Sequence, residues 1–141
     1  MERSELLNVT ADNELMKFLG VEIVEATAER VVLTMPVTPK VHQYVGIMNG
    51  GVSLYLFETA ASIGVVVSSD LIKVTPVGIE INANHIRAVS KGILTTTATP
   101  IRHGRTMSVW KIENHDERGR LVTTGRISIL LQNRPAFPKE N

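Results

Sequence analysis

Gly46-Ile-Met-Asn-Gly-Gly-Val-Ser-Leu-Tyr-Leu-Phe-Glu-Thr-Ala-Ala-Ser-Ile-Gly-Val-Val-Val-Ser-Ser69 is the stretch that decides how this chain folds. Between Lys40 and Asp70 the chain carries one formal charge, Glu58. Val52, Leu56, Ala60, Ile63 and Val67 recur at helical spacing, so the run reads as one long helix despite the strand-favouring triplet Val65-Val66-Val67. Asn49, ahead of Gly50-Gly51, has the chemistry of an N-cap, although the glycine pair could equally be only a tight turn into the helix. A carboxylate inside a buried helix is costly without a partner. Leu54, Tyr55, Ala61 and Ser62, three and four positions away, offer none. Glu58 is therefore expected to be kept for chemistry, with an ion pair to Arg87 or Arg126 from another element as the structural alternative.

The flanking segments read as strands and one further helix. Asn13–Leu19 is predicted helical, with Leu15, Met16 and Leu19 on one side and Gly20 as terminator. Val21–Ala26 and Arg30–Val37 are rich in β-branched residues and read as two strands. Pro36 and Pro39 then lead into a loop with His42-Gln43-Tyr44. Beyond Asp70 the period changes to two. Gly78–Ile86 alternates, placing Ile79, Ile81, Ala83 and His85 on one face. Ile93–Arg102 is threonine-rich, as suits a half-exposed strand. Thr106–Asn114 puts Ser108, Trp110 and Ile112 on one face, and Asp116-Glu-Arg-Gly119 is a hairpin turn into Leu121–Leu131. An antiparallel sheet with one apolar face must cover that face, and the long helix is the element able to do so. The predicted fold is α+β, a curved antiparallel sheet wrapped around one central helix.

At 141 residues the chain suits one domain, residues 1–132, followed by a disordered tail, 133–141, that contains Pro135 and Pro138. A net charge of +1 with both signs interspersed argues against a general nucleic-acid or membrane-surface role. The chain has no cysteine, which excludes disulfides, thiolate metal sites and cysteine nucleophiles. Its polar, acidic start lacks the pattern of a signal peptide, so a cytoplasmic location is expected. The run 50–69 is about long enough to cross a bilayer, but Glu58 at its centre and the serines around it make insertion expensive.

Five blocks carry a resemblance to a known family: His42-Gln43, Gly46-Ile-Met-Asn-Gly-Gly51, Glu58-Thr-Ala-Ala-Ser62, Gly78-Ile-Glu-Ile-Asn-Ala-Asn-His85 and Arg102-His-Gly-Arg105. In order and spacing they resemble the hotdog-fold acyl-CoA thioesterases, and within these the aryl-CoA branch that includes 4-hydroxybenzoyl-CoA, dihydroxynaphthoyl-CoA and enterobactin-proofreading thioesterases. The resemblance spans Leu15 to Leu131. It implies that Gln43 orients a thioester, that the Gly50 amide polarises its carbonyl, that Glu58 attacks or activates water, and that Ser62 supports hydrolysis. It also implies that His85 faces the substrate, and it places His42 and Gly51 beside it. Asn49 stands where the family usually has histidine; it can cap the helix and hydrogen-bond a carbonyl, but it cannot titrate. The resemblance implies dimers with shared sites, often paired into tetramers, and no cofactor beyond the CoA of the substrate.

The residues themselves suit that chemistry. Thioester hydrolysis needs a group that attacks or activates water and a donor for the oxygen that becomes negative. Glu58 offers the first; the N–H groups of Gly50 and Gly51 at a helix start offer the second. His42, His85, His103 and His115 lie on different elements without metal-ligand spacing, and no G-x-S-x-G elbow occurs. Eight residues separate Gly50 from Glu58, about 12 Å of helix at about 1.5 Å per residue. One carbonyl cannot sit about 3 Å from both groups of the same chain. The carboxylate must then come from a second, antiparallel helix in a two-fold dimer. Other readings stay open residue by residue. Gln43 could be an ordinary loop residue, His85 a core histidine, and Ser62 a hydroxyl bonded back to its own helix. Arg102, His103, Gly104 and Arg105 read as a basic turn, either merely solvated or holding the phosphates of CoA. A non-catalytic acyl-CoA-binding module and a hotdog hydratase are the rival functions; the second usually relies on an aspartate–histidine pair that the helix-opening segment lacks.

Overall fold

The computed structural model describes residues 2–71 and 73–135. Its elements are α1 (Arg3–Ala11), α2 (Glu14–Leu19), β1 (Glu22–Ala26), β2 (Val31–Pro36), a single 3-10 turn (Pro39–Val41), α3 (Gly50–Ser68), β3 (Thr75–His85), β4 (Ile93–His103), β5 (Met107–His115) and β6 (Leu121–Gln132). Six strands form one antiparallel sheet in the order β1-β2-β4-β5-β6-β3. The sheet curves around α3, which is the predicted architecture.

Local chemistry sets the element boundaries. Asn13 Oδ1 accepts from the amides of Leu15 and Met16, starting α2, and Gly20 at φ 71° ends it. Asp116 Oδ1 accepts from the amides of Arg118 and Arg120, and Gly119 at φ 73° completes the β5–β6 hairpin. Val65–Val67 are helical, as the apolar spacing requires, because Val65 is buried against the sheet. The inward face of α3 presents Ser53, Leu56, Phe57, Ala60, Ala61, Ile63, Gly64 and Val65. It meets Leu33, Met35, Leu94, Trp110, Ile112, Ile127 and Ile129 from the strands. Each fully buried side chain of this size stabilises the fold by about 1.5–3 kcal/mol. The helix is long and apolar enough to cross a membrane by length and composition, and here its apolar face is packed into the sheet.

Three expectations change. α1 was not foreseen; Glu2 and Glu5 form a reciprocal capping box at its start, with Glu2 N donating to Glu5 Oε2 at 2.9 Å. β3 begins at Thr75 and carries a bulge between Gly78 and Glu80, which turns Ile79 out of the predicted inward set and leaves it exposed. The supposed basic turn is partly strand, since β4 runs through Arg102 and His103. Of the predicted disordered tail, residues 136–141 lie outside the described residues, while β6 extends to Gln132.

Candidate active site

The start of α3 is built by Asn49, whose Oδ1 accepts from Gly51 N at 2.8 Å. Its own amide donates to Val41 O, and Met48 N donates to Val89 O, so the approach to the helix is pinned on both sides. The cap consumes the Gly51 N–H, one of the two donors expected there. The Gly50 N–H has no acceptor among the described residues. It lies at the positive end of a 19-residue helix, where anionic oxygen is favoured.

A cleft of about 320 Å³ opens in front of this amide, lined among others by Gln43, Ile47, Gly50, Ser53, His85 and Thr123. That is the size of a small ligand pocket. Gln43 sits in a tight loop closed by Gln43 N to Ile47 O, and its Oε1 accepts from Val45 N at 2.5 Å. The Gln43 amide nitrogen is its remaining polar group. His85 is an exposed residue and not a core histidine. Its ring lies so near Gly50 that a methyl group there would fall 2.7 Å from Nε2. His42 does not line this cleft: its Nε2 donates to Ser90 O at 2.8 Å and ties two loops together.

Glu58 corrects the sequence expectation most clearly. Within one chain it is exposed, on the face of α3 turned away from the core. It makes no ion pair with Arg87, Arg126 or any other described residue. The carboxylate rests against Gly78 beside the β3 bulge, where a methyl group would fall 2.5 Å from Oε1. Glu58, Thr59 and Ser62 line a second cleft, of about 370 Å³, with Tyr55, Asn13 and Met16. Ser62 Oγ has no hydrogen-bond partner among the described residues; the hydroxyl that bonds back to the helix is that of Ser68, to Gly64 O at 2.7 Å. The two clefts share no lining residue. One chain thus brings Gln43, Gly50 and His85 together, and separately Glu58 and Ser62, but not the two groups with each other.

The basic segment divides. His103 Nε2 donates to Ala28 O at 2.8 Å, and its ring stands edge-on to Trp110, so this side chain is a tie between β4 and the β1–β2 loop. The Gly104 amide donates to Met107 O within the turn. Arg102 and Arg105 are exposed and, among the described residues, make no ion pair. Among the described residues no group of three or more His, Asp or Glu side chains is disposed to hold a metal ion.

One feature escaped the sequence reading. Ser53, Thr96, Asn114 and Thr123 form a buried polar row beneath the first turns of α3, reaching the cleft at His85. Ser53, three residues after Gly50 in the otherwise apolar helix, was the available signal.

Residues 45–123 match the thioesterase superfamily. The chain is 38% identical over 120 residues to the 1,4-dihydroxy-2-naphthoyl-CoA hydrolase of Listeria monocytogenes, covering 85% of this chain and 97% of that protein. It is 38% identical over 125 residues to the proofreading thioesterase EntH of Cronobacter turicensis, covering 88% and 90% of the two. The crystal structure of a thioesterase from Haemophilus influenzae superposes with a TM-score of 0.84 at 35% identity, over 96% of this chain and 92% of that one. A curved antiparallel sheet around one helix, a capped helix start with an unbonded amide, and family-wide similarity over most of the length agree: this chain belongs to the thioesterase superfamily, in its hotdog fold.

Proposed function

We propose that this protein hydrolyses an aryl- or small acyl-CoA thioester to the carboxylic acid and free CoA, at a site completed by a second copy of the chain. The observation that carries this reading is the pair of complementary half-sites on one helix. An unbonded amide opens one cleft at Gly50, and an unpaired carboxylate opens another at Glu58. The acyl carbonyl oxygen accepts from Gly50 N–H, with Gln43 positioning the thioester. Glu58 of the other copy attacks the carbonyl carbon or takes a proton from water that does so, and Ser62 lies one helical turn away to support that step. Negative charge gathers on the carbonyl oxygen as the bond to the incoming oxygen forms, and the helix N-terminus favours it there. Collapse expels the CoA thiolate, leaving the free acid where water attacked, or, where the carboxylate attacked, a mixed anhydride with Glu58 that a water then opens to the acid and the regenerated carboxylate.

The sheet supports the dimer. β3 is an edge strand of eleven residues, paired among the described residues only with β6, and an open edge is a template for pairing with another chain. Two copies meeting there about a two-fold axis would lay their α3 helices antiparallel and set each Glu58, which rests on β3, toward the other copy's Gly50. Arg102 and Arg105 would hold CoA phosphates, and the reaction needs no cofactor beyond the CoA of the substrate. Cytoplasmic CoA thioesters are the natural supply. A relative that aligns with 85% of this chain at 38% identity is named for hydrolysis of an aromatic CoA thioester, which supports the substrate class. Release of free thiol from a panel of aromatic and aliphatic acyl-CoAs, read with a thiol-reactive dye, tests the proposal. Turnover of at least one member is expected; tight binding of acyl-CoA with no release across the panel would make this a binding module.

A further inference from the structure

Thr96, Asn114, Thr123 and His85 are successive register partners across β4, β5, β6 and β3, so they stand in one line on the inner face of the sheet. Ser53 of α3 closes over the middle of that line. Ser53 and Asn114 are 0% exposed, and Thr96 and Thr123 are 1% exposed. Buried polar groups of this kind cost about 1–3 kcal/mol each when unpaired, and here every one is paired.

The first two links of the row have a set direction. Thr96 Oγ1 donates to Asn114 Oδ1 at 2.6 Å, and Asn114 Nδ2 donates to Ser53 Oγ at 3.1 Å. Either hydroxyl of the Ser53–Thr123 pair, 3.2 Å apart, can donate; with Ser53 Oγ already accepting from Asn114, the arrangement that continues the row has Ser53 donating to Thr123 Oγ1. The Thr123 hydroxyl proton is then left for His85 Nδ1 at 3.5 Å, the long last link. A neutral imidazole carries one proton, so a ring that accepts at Nδ1 donates at Nε2. Nε2 is the ring nitrogen turned to Gly50.

We propose that the buried row Thr96–Asn114–Ser53–Thr123 holds neutral His85 in the Nε2–H tautomer, making His85 a second N–H donor beside the Gly50 amide for the acyl oxygen of the substrate. This rests on the reading of Gly50 given above. Thr123 is then a positioning residue that acts through His85. The row spans three strands and a helix, which fixes the ring on the fourth strand more firmly than a lone surface rotamer would.

The test begins without substrate. Protein labelled with 15N-histidine is examined by long-range 1H–15N correlation at about pH 8, above the ordinary imidazole pKa of about 6.5. The His85 signals are assigned by their loss in His85→Gln. An unprotonated Nδ1 and a protonated Nε2 are expected; the opposite tautomer in the wild type overturns the proposal, whether or not the protein hydrolyses thioesters. Thr123→Val, which keeps the shape but removes the hydroxyl, should shift the ring to a tautomer mixture, and Thr123→Ser should restore the wild-type pattern. A wild-type pattern in Thr123→Val overturns the role of the row. With substrate, Thr123→Val should lower kcat by about 10-fold, less than the roughly 10²–10³ for deleting an oxyanion donor outright, with KM changed less than twofold. The loss should be the same for aromatic and aliphatic acyl-CoAs, because both present the acyl oxygen. A loss confined to hydroxyaryl substrates would mean that His85 reads the ring and would overturn its assignment to the carbonyl.

Discussion

Gly50→Ala separates the amide at the start of α3 from the space in front of it. The N–H survives the substitution and the helix start is unchanged, but a methyl group enters 2.7 Å from His85 Nε2 and 2.9 Å from Cε1. Ordinary contact needs 3.4 Å or more, so the imidazole must retreat by something near 0.5–1 Å, and the acyl group loses the same room. Productive sites tolerate about 0.5 Å of misplacement, and an error of about 1 Å costs on the order of 10²-fold. Gly50→Ala should therefore lower kcat/KM for acyl-CoA by about 10²-fold. Stability moves the other way. Gly50 is not among the glycines with positive φ, so alanine is at ease there and gains up to about 0.5–1 kcal/mol from helix propensity and a less flexible unfolded chain. Thiol release would be measured beside thermal melting. The double variant Gly50→Ala with His85→Ala adds an internal check: once the ring is gone the methyl has nothing to displace, so the double variant should be little worse than His85→Ala alone. Activity of Gly50→Ala within threefold of wild type, in a folded protein, would refute the close approach of substrate to this amide.

Glu58→Gln should reduce kcat by about 10³-fold or more with the melting temperature held, since the side chain is exposed and makes no ion pair among the described residues; turnover near wild type would remove its catalytic role. Refolding Glu58→Gln together with Gly50→Ala should recover part of the activity through mixed dimers with one intact site, and heterodimers without recovery would defeat the shared-site arrangement. Asn49→Ala should cost about 1 kcal/mol through the lost cap and reduce kcat/KM far less than Glu58→Gln; equal damage in a folded protein would give position 49 a central catalytic part. Arg102→Ala with Arg105→Ala should raise KM for acyl-CoA but not for the matching pantetheine thioester, which lacks the nucleotide phosphates. An equal rise for both would take the arginines out of CoA binding.

What the sequence disclosed follows from how local each signal is. The long helix was legible because its cap, its apolar spacing and its small residues lie within one contiguous run, and the hairpin at Asp116–Gly119 because a turn is made by its own residues. α1 was missed because its evidence is a Glu2–Glu5 capping box without a clear apolar stripe behind it. The bulge that turns Ile79 outward adds one residue to β3 without altering its composition. The exposure of Glu58 could not be read at all: burial belongs to the assembled surface, and an apolar neighbourhood in sequence is not one in space. The polar row is the sharpest case. Thr96 looks like any residue of a threonine-rich strand, and only the pairing of β4 with β5 and of β5 with β6 brings Thr96, Asn114 and Thr123 into line.

The order in which the chain is made sets a hazard for α3. Its last residue, Ser68, precedes Gln132 at the end of β6 by 64 positions, and the strands that cover its apolar face, β3 to β6, all lie in that interval. At about 5–20 residues per second of synthesis, the interval lasts about 3–13 s. For that time a helix with the length and apolarity of a membrane span has only the elements made before it, α1, α2, β1 and β2, to lie against. Chains stalled before β5 should be captured by ribosome-associated chaperones, and release should come with the β5–β6 hairpin; stalled chains that ignore such chaperones would argue that α1 and the first strands shelter the helix by themselves. Quality control during translation is therefore set by where the helix stands in the gene, and moving it behind β6 by circular permutation would shorten the exposure without altering the folded protein.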